Sequence, residues 1–128
     1  MGKGEKDKMA RILVVDDEEI LRMLIRETLE DLEFDIDEAE DGEEALKKMK
    51  ESTYDLMILD YMMPNLTGIE VIELLPQEIK KSMPILMLTA KSQESDRQKV
   101  FDLGADYFMS KPFSPVKLMN LVEDILND

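Results

Sequence analysis

Arg11-Ile12-Leu13-Val14-Val15-Asp16-Asp17 sets four consecutive apolar residues, three of them β-branched, directly before two aspartates. A run this short, with no helical period, predicts a strand buried on both faces whose carboxyl end meets a polar rim. Leu56-Met57-Ile58-Leu59-Asp60 has the same form, and so does Ile85-Leu86-Met87-Leu88-Thr89, opened by Pro84. Phe34–Glu40 alternates instead, which predicts an edge strand, and Tyr107–Ser110 forms a short fifth strand running into Lys111.

Between these runs the period changes. Residues 19–32 place Leu21, Leu24, Ile25, Thr28, Leu29 and Leu32 on one helical face. A short helix after Gly42 carries Ala45, Leu46 and Met49, and a third, after the Pro64–Gly68 loop, carries Ile69, Ile72 and Leu75. Pro76 removes a hydrogen bond to Ile72 and should end or kink that helix near Leu75. A polar helix over roughly Glu94–Leu103 stops at Gly104, and Ser114 caps a last helix reaching about Leu126. Five strands alternating with five helices predict an α/β domain with a doubly wound parallel sheet covered on both faces. Residues 10–128 make one such domain behind a polar leader, residues 1–9.

Composition narrows the chemistry. The 128 residues hold 16 Lys+Arg against 30 Asp+Glu, a formal net charge of −14. That balance disfavours direct contact with nucleic acid or an anionic membrane. Cysteine and histidine are both absent, which removes disulfides, thiolate nucleophiles, Cys/His zinc sites and histidine-based triads. No apolar run approaches the roughly 20 residues of a membrane span, and the charged leader lacks a signal peptide's apolar region. A cytoplasmic setting is the default expectation. The five glycines, at 2, 4, 42, 68 and 104, compose neither a Walker loop nor a dinucleotide fingerprint. A calcium loop starting at Asp37 fails at Ala39 and Lys48.

In open parallel sheets, sites form beyond the carboxyl ends of the strands. Asp16-Asp17, Asp60, Thr89 and Lys111 all fall there. Each has a bland reading: a solvated turn, a loop cap, a helix cap, a surface lysine. Their conjunction is different, because three carboxylates brought within several ångströms repel one another and raise at least one pKa unless a cation joins them. Oxygen ligands with open water positions suit Mg²⁺.

Val14-Val15-Asp16-Asp17, Ile58-Leu59-Asp60 with Met63-Pro64 and Gly68, Leu88-Thr89-Ala90, Gly104-Ala105-Asp106 and Lys111-Pro112-Phe113 stand in an order and spacing that resemble the receiver domain of two-component response regulators over residues 10–127. The resemblance implies a flavodoxin-like (CheY-like) sheet in strand order 2-1-3-4-5. It also implies that Asp60 accepts a phosphoryl group from a phosphohistidine. Asp17, Asp60 and the Met62 backbone carbonyl then hold Mg²⁺ directly, and Asp16 acts mainly through water. Lys111 pairs with Asp60 and the phosphoryl oxygens, Thr89 turns its hydroxyl toward that group, and Phe108 occupies the aromatic switch position. The Lys111-Pro112 bond matches the family's cis peptide, which would aim the lysine inward.

The resemblance further implies a sensor histidine kinase or histidine phosphotransfer protein as donor and a protein effector downstream. It implies no enzymatic action on a separate substrate pool, only self-catalysed phosphorylation and dephosphorylation. The missing histidine fits, since the donor imidazole must come from another molecule. With the last helix ending two residues before the end of the sequence, no output domain is expected within it. The switch is expected in the face built by the fourth helix, fifth strand and fifth helix. Phe108 departs from the commoner tyrosine, while Met62 and Lys91 occupy positions thought to tune the phosphoryl lifetime. Between Glu30 and Glu44 stand ten acids in fifteen residues, mostly solvated faces, some able to steer a basic partner. The eleven methionines are spaced as core fillers. The alternative is a pseudo-receiver that binds partners without phosphorylation, whose mark would be a lost acid or lysine.

Overall fold

The computed structural model describes residues 9–90 and 97–127. In chain order the elements are β1 (Arg11–Val15), α1 (Glu19–Glu30), β2 (Asp35–Ala39), α2 (Gly42–Glu51), β3 (Leu56–Asp60), α3 (Gly68–Leu74), α4 (Gln77–Ser82), β4 (Ile85–Ala90), α5 (Arg97–Leu103), β5 (Tyr107–Lys111) and α6 (Pro115–Leu126). All five strands are parallel and lie in the order β2-β1-β3-β4-β5. The helices cover both faces, as the continuous apolar runs require. Ile12–Val15, Leu56–Leu59 and Ile85–Leu88 are fully buried.

Strand parity divides the core in two. Leu13, Val15, Met57, Leu59, Ile85 and Met87 face a layer built from α2, α3, α4 and α5, with Ala45, Met49, Val71, Ile72 and Val100 packed against them. Ile12, Val14, Ile58, Leu86 and Leu88 face α1 and α6, meeting Ile25, Leu29, Leu118 and Val122. Met49, Met57, Met63, Met83 and Met87 are buried, as their spacing predicts, whereas Met9, Met23 and Met62 are exposed.

Two expectations need correction. Six helices are present among the described residues rather than five. The third ends at Leu74, and Pro76 then serves as the N-cap of a separate short helix, α4. Proline lacks an N–H and clashes with the preceding turn, but its fixed φ suits a helix start, so the chain restarts instead of merely kinking. Leu24 is 41% exposed although the helical period sets it beside Ile25. The buried stripe of α1 is the narrower set Ile25 and Leu29, flanked by half-buried Leu21 and Leu32. The predicted first half of the polar helix, from Glu94, and Lys91 lie outside the described residues, as do leader residues 1–8.

Side-chain caps fix several helix starts, the expected one at Ser114 among them. Asp41 accepts from the Glu44 N–H at 2.8 Å, while the Glu44 carboxylate accepts from the Glu40 N–H at 2.7 Å. Thr67 and Glu70 form a complete capping box, and Ser114 caps α6. Of the acids between Glu30 and Glu44, those on β2 are not simply solvated. Asp35 pairs with Arg11, Asp37 with Lys48, and Glu38 with both Arg22 and Arg26. Gly104 stops α5 with φ +129°, a conformation L side chains rarely adopt.

Candidate functional site: an acidic cleft at the carboxyl edge of the sheet

Register brings the site together. Val15 pairs with Leu59 across β1 and β3, so one step on, Asp16 and Asp60 stand side by side at the strand ends. Asp60 pairs with Leu88 of β4, and Ala90 of β4 pairs with Lys111 of β5. The Asp16 and Asp60 side chains are almost fully buried, while Asp17 in the loop after β1 is exposed. Oxygens from these three carboxylates all lie within 4.8 Å of one another. Asp17 and Asp60 line a cleft of about 250 Å³ together with Glu18, Met62, Ala90 and Lys111.

Lys111 is the central cation. Its Nζ lies 3.1 Å from Asp60 Oδ1, 3.2 Å from Asp16 Oδ2 and 3.7 Å from Glu18 Oε1. The lysine therefore bridges two buried acids rather than serving Asp60 alone. The bond from Lys111 to Pro112 is cis, as in the family it resembles. One ammonium does not neutralise the cluster. Burial, reinforced by the neighbouring Asp16 charge, pushes the Asp60 carboxyl up to about 6. Burial also raises Asp16, against the opposing effects of the Glu18 N–H and Lys111. Burial acts to lower the Lys111 ammonium, yet Asp16 and Asp60 outweigh it and hold that pKa above its ordinary value.

The loop after β3 is fitted tightly round Asp60. The Gly68 N–H donates to the Tyr61 carbonyl at 2.7 Å, and a Cβ on Gly68 would lie 2.5 Å from the Asp60 carbonyl oxygen. Backbone gives way less readily than a side-chain tip, so Gly68→Ala is expected to destabilise the fold by about 2–3 kcal/mol. A urea midpoint within error of the parent would show that the loop relaxes freely.

Thr89 and Phe108 lie on the sheet face opposite the one that carries Asp60. Phe108 pairs with Met87, and Thr89 pairs with Ser110, so strand parity turns all four to the α2–α5 side. Thr89 is buried, and its hydroxyl has no hydrogen-bond partner among the described residues. An orphaned buried hydroxyl carries a desolvation cost that a new acceptor would relieve. Phe108 is half-buried, its ring centroid 5.9 Å from that of Phe101 and its face 4.8 Å from the Arg97 guanidinium.

Each residue expected at the site from sequence thus lies at the carboxyl edge except Phe108, the second residue of β5. Met62, 54% exposed, lines the cleft directly after β3. Glu18 and Arg22 join the site without a signal in the sequence. The Arg22 guanidinium donates to the Asp16 main-chain carbonyl at 2.7 Å and to Glu38 at 3.0 Å. A charged residue on the first turns of an amphipathic helix is indistinguishable in sequence from one on a solvated face.

The sequence model of the response regulator receiver domain matches residues 12–123. The chain belongs to the response regulator receiver family. Among curated relatives, it is 47% identical over 116 residues to the transcriptional regulatory protein ResD of Bacillus subtilis. It is 50% identical over 116 residues to the alkaline phosphatase synthesis transcriptional regulatory protein PhoP of the same organism. Each alignment covers 91% of this chain and 48% of the relative, so the chain spans about half the length of the curated relatives it matches. Among solved structures, the chemotaxis response regulator CheY4 of Vibrio cholerae superposes with a TM-score of 0.86 at 35% identity, covering 93% of this chain and 100% of that one. The BeF3-activated receiver domain of DrrB, from Thermotoga maritima, gives 0.84 at 29% identity over 94% and 100%. The receiver carries the phospho-accepting function of a two-component response regulator. Among its described residues, no helix is long and apolar enough to cross a membrane.

Proposed function

We propose that Asp60 is the residue this receiver phosphorylates, with a divalent cation, Mg²⁺ by its ligand chemistry, held against Asp17, Asp60 and the Met62 backbone carbonyl and with Asp16 acting through water. The observation that carries this reading is the meeting of three carboxylates within 4.8 Å at the end of β3, only partly compensated by Lys111. An all-oxygen donor set with an excess of negative charge fits a hard cation. Mg²⁺, when bound, supplies charge neutralisation for the phosphoryl oxygens.

The chain's own residues do the rest. An Asp60 carboxylate oxygen forms the new O–P bond as the donor's N–P bond breaks, and the departing imidazole keeps the electron pair and takes up a proton. Lys111, already 3.1 Å from Asp60, is the ammonium placed to follow the developing charge. The Thr89 hydroxyl, without a partner among the described residues, gains an acceptor in a phosphoryl oxygen, and the space it leaves favours inward movement of Phe108. The chain contains no histidine, so a phosphohistidine donor, a sensor histidine kinase or phosphotransfer protein, comes from outside. Residues 10–128 serve as the receiver unit behind a polar leader at 1–9, in a cytoplasmic relay. The signal passes to a protein effector rather than by direct contact of this acidic surface with nucleic acid. Turnover is confined to the receiver's own phosphorylation and dephosphorylation.

Acetyl phosphate, with acetate as the leaving group, tests the assignment. Intact mass is expected to show one phosphoryl group on the parent with Mg²⁺, and none on Asp60→Asn or on the parent with chelator. Equal mass gain in Asp60→Asn would move the acceptor elsewhere.

A further inference from the structure

Among the described residues, Asp17 is the one of the three clustered carboxylates without a hold of its own. Asp16 is fixed at both carboxylate oxygens, by the Glu18 N–H at 2.8 Å and Lys111 at 3.2 Å, and Asp60 is fixed by Lys111. The exposed Asp17 carboxylate makes no hydrogen bond or ion pair among the described residues. Its place over the cleft therefore depends on the backbone that presents it, above all on the peptide joining Asp16 to Asp17.

That peptide is gripped from outside the site. Its carbonyl, on Asp16, accepts from Arg22 Nη1 at 2.7 Å. Arg22 is itself held, with Nε donating to Glu38 Oε1 at 3.0 Å and a side chain only 12% exposed. Glu38 is braced in turn, since Arg26 pairs with its other oxygen and Lys48 donates to its main-chain carbonyl at 2.7 Å. A guanidinium suits this task because its planar fork donates in two fixed directions at once, which an ammonium does not reproduce. The Asp16 N–H, donating to the Ala39 carbonyl at 3.2 Å, ties the same corner to the end of β2.

We infer that Arg22 is a positioning residue for the cation site: by fixing the Asp16–Asp17 peptide through the Glu38 brace, it sets where the Asp17 carboxylate stands. The inference rests on the proposed cation role of Asp17 and goes beyond it by assigning the group that holds Asp17 in place. It also separates two opposite consequences of losing Arg22. A lost positive charge near three acids would tighten cation binding, whereas a lost tether would weaken it.

The test compares Arg22→Gln, Arg22→Lys and Glu38→Gln with the parent, in the full chain. Mg²⁺ affinity is measured by calorimetry, and the Asp17 amide shift by NMR without divalent cation. Arg22→Gln is expected to bind Mg²⁺ about tenfold more weakly, the scale seen when a group orienting a metal ligand is removed. Arg22→Lys should weaken it severalfold despite its retained charge, and Glu38→Gln by less than Arg22→Gln. All three should move the Asp17 amide resonance in the cation-free protein. Unchanged or tighter Mg²⁺ binding in Arg22→Gln, or an Asp17 amide indifferent to it, would overturn the inference. A parent that takes up no Mg²⁺ would count instead against the cation site, and the amide shifts would still decide whether the tether exists. Should Arg22→Gln fold poorly, Glu38→Gln removes the brace while leaving Arg22 in the chain.

Discussion

Lys111→Met is expected to slow phosphorylation by acetyl phosphate by on the order of a hundredfold or more and to cost the cation-free protein about 3 kcal/mol at pH 7.5. Both effects have one origin. The lysine lies within 3.2 Å of two buried carboxylates, and methionine keeps the stem but leaves both acids uncompensated in a low-dielectric corner. The stability cost stands at the lower end of the range for breaking a buried pair, because the Lys111 side chain retains 22% exposure. Urea unfolding at several pH values checks it. The deficit should shrink on acidification, starting above pH 6, since Asp60 already sits near 6 with its lysine present and rises further without it. A variant as stable as the parent at pH 7.5 would mean that the two acids share a proton rather than an ammonium.

Asp60→Asn should act in the other direction and stabilise the cation-free protein by about 2–3 kcal/mol at pH 7.5, from a shift of roughly two pH units at 1.36 kcal/mol each. Burial and the Asp16 charge hold the folded-state pKa near 6, above the ordinary 3.8. A raised carboxyl pKa means the folded state binds more protons than the unfolded one between those values. Stability therefore falls as pH rises through that window, and the loss is complete above it. Asparagine removes the titration, so the gap between variant and parent should open from about pH 4 to about pH 6 and then level. Mg²⁺ binding to the parent alone should narrow it again by mass action. The measurement is the urea midpoint against pH, with and without Mg²⁺. A gap that is absent at pH 7.5, or that widens at pH 4, would show that Asp60 is not the strained acid of the cluster. The stabilising asparagine is also the variant that should fail to take up phosphate, so strain and function meet in one side chain.

Much of this was legible in the chain itself. Hydropathy period is a local property, and β1, β3 and β4 declare themselves because a strand buried on both faces has no polar position to give up. The abrupt acid after Val15 and after Leu59 marked one sheet edge, and parallel topology gathers such ends together. The Ser114 cap was equally local, and the caps the structure shows at Asp41 and Thr67 have the same form, a side chain answering an N–H three residues on. Leu24 shows where a period stops being informative. A helix with a wide apolar stripe buries only what its neighbours cover, and α1 leaves that residue 41% exposed. Pro76 was recognisable as a break, but its use as the start of α4 depends on what the following residues pack against.

Runs of adjacent residues were enough to fix a doubly wound α/β domain with acids, a hydroxyl and a lysine at the strand ends, and the order of those motifs carried the resemblance to receivers. The packed fold adds that Lys111 spans Asp16 and Asp60 together, that the Thr89 hydroxyl has no partner among the described residues, and that Arg22 reaches back to the Asp16 carbonyl. Those contacts join residues up to 95 positions apart. They are fixed by strand register and helix docking, and neither leaves a signature in any short stretch of chain.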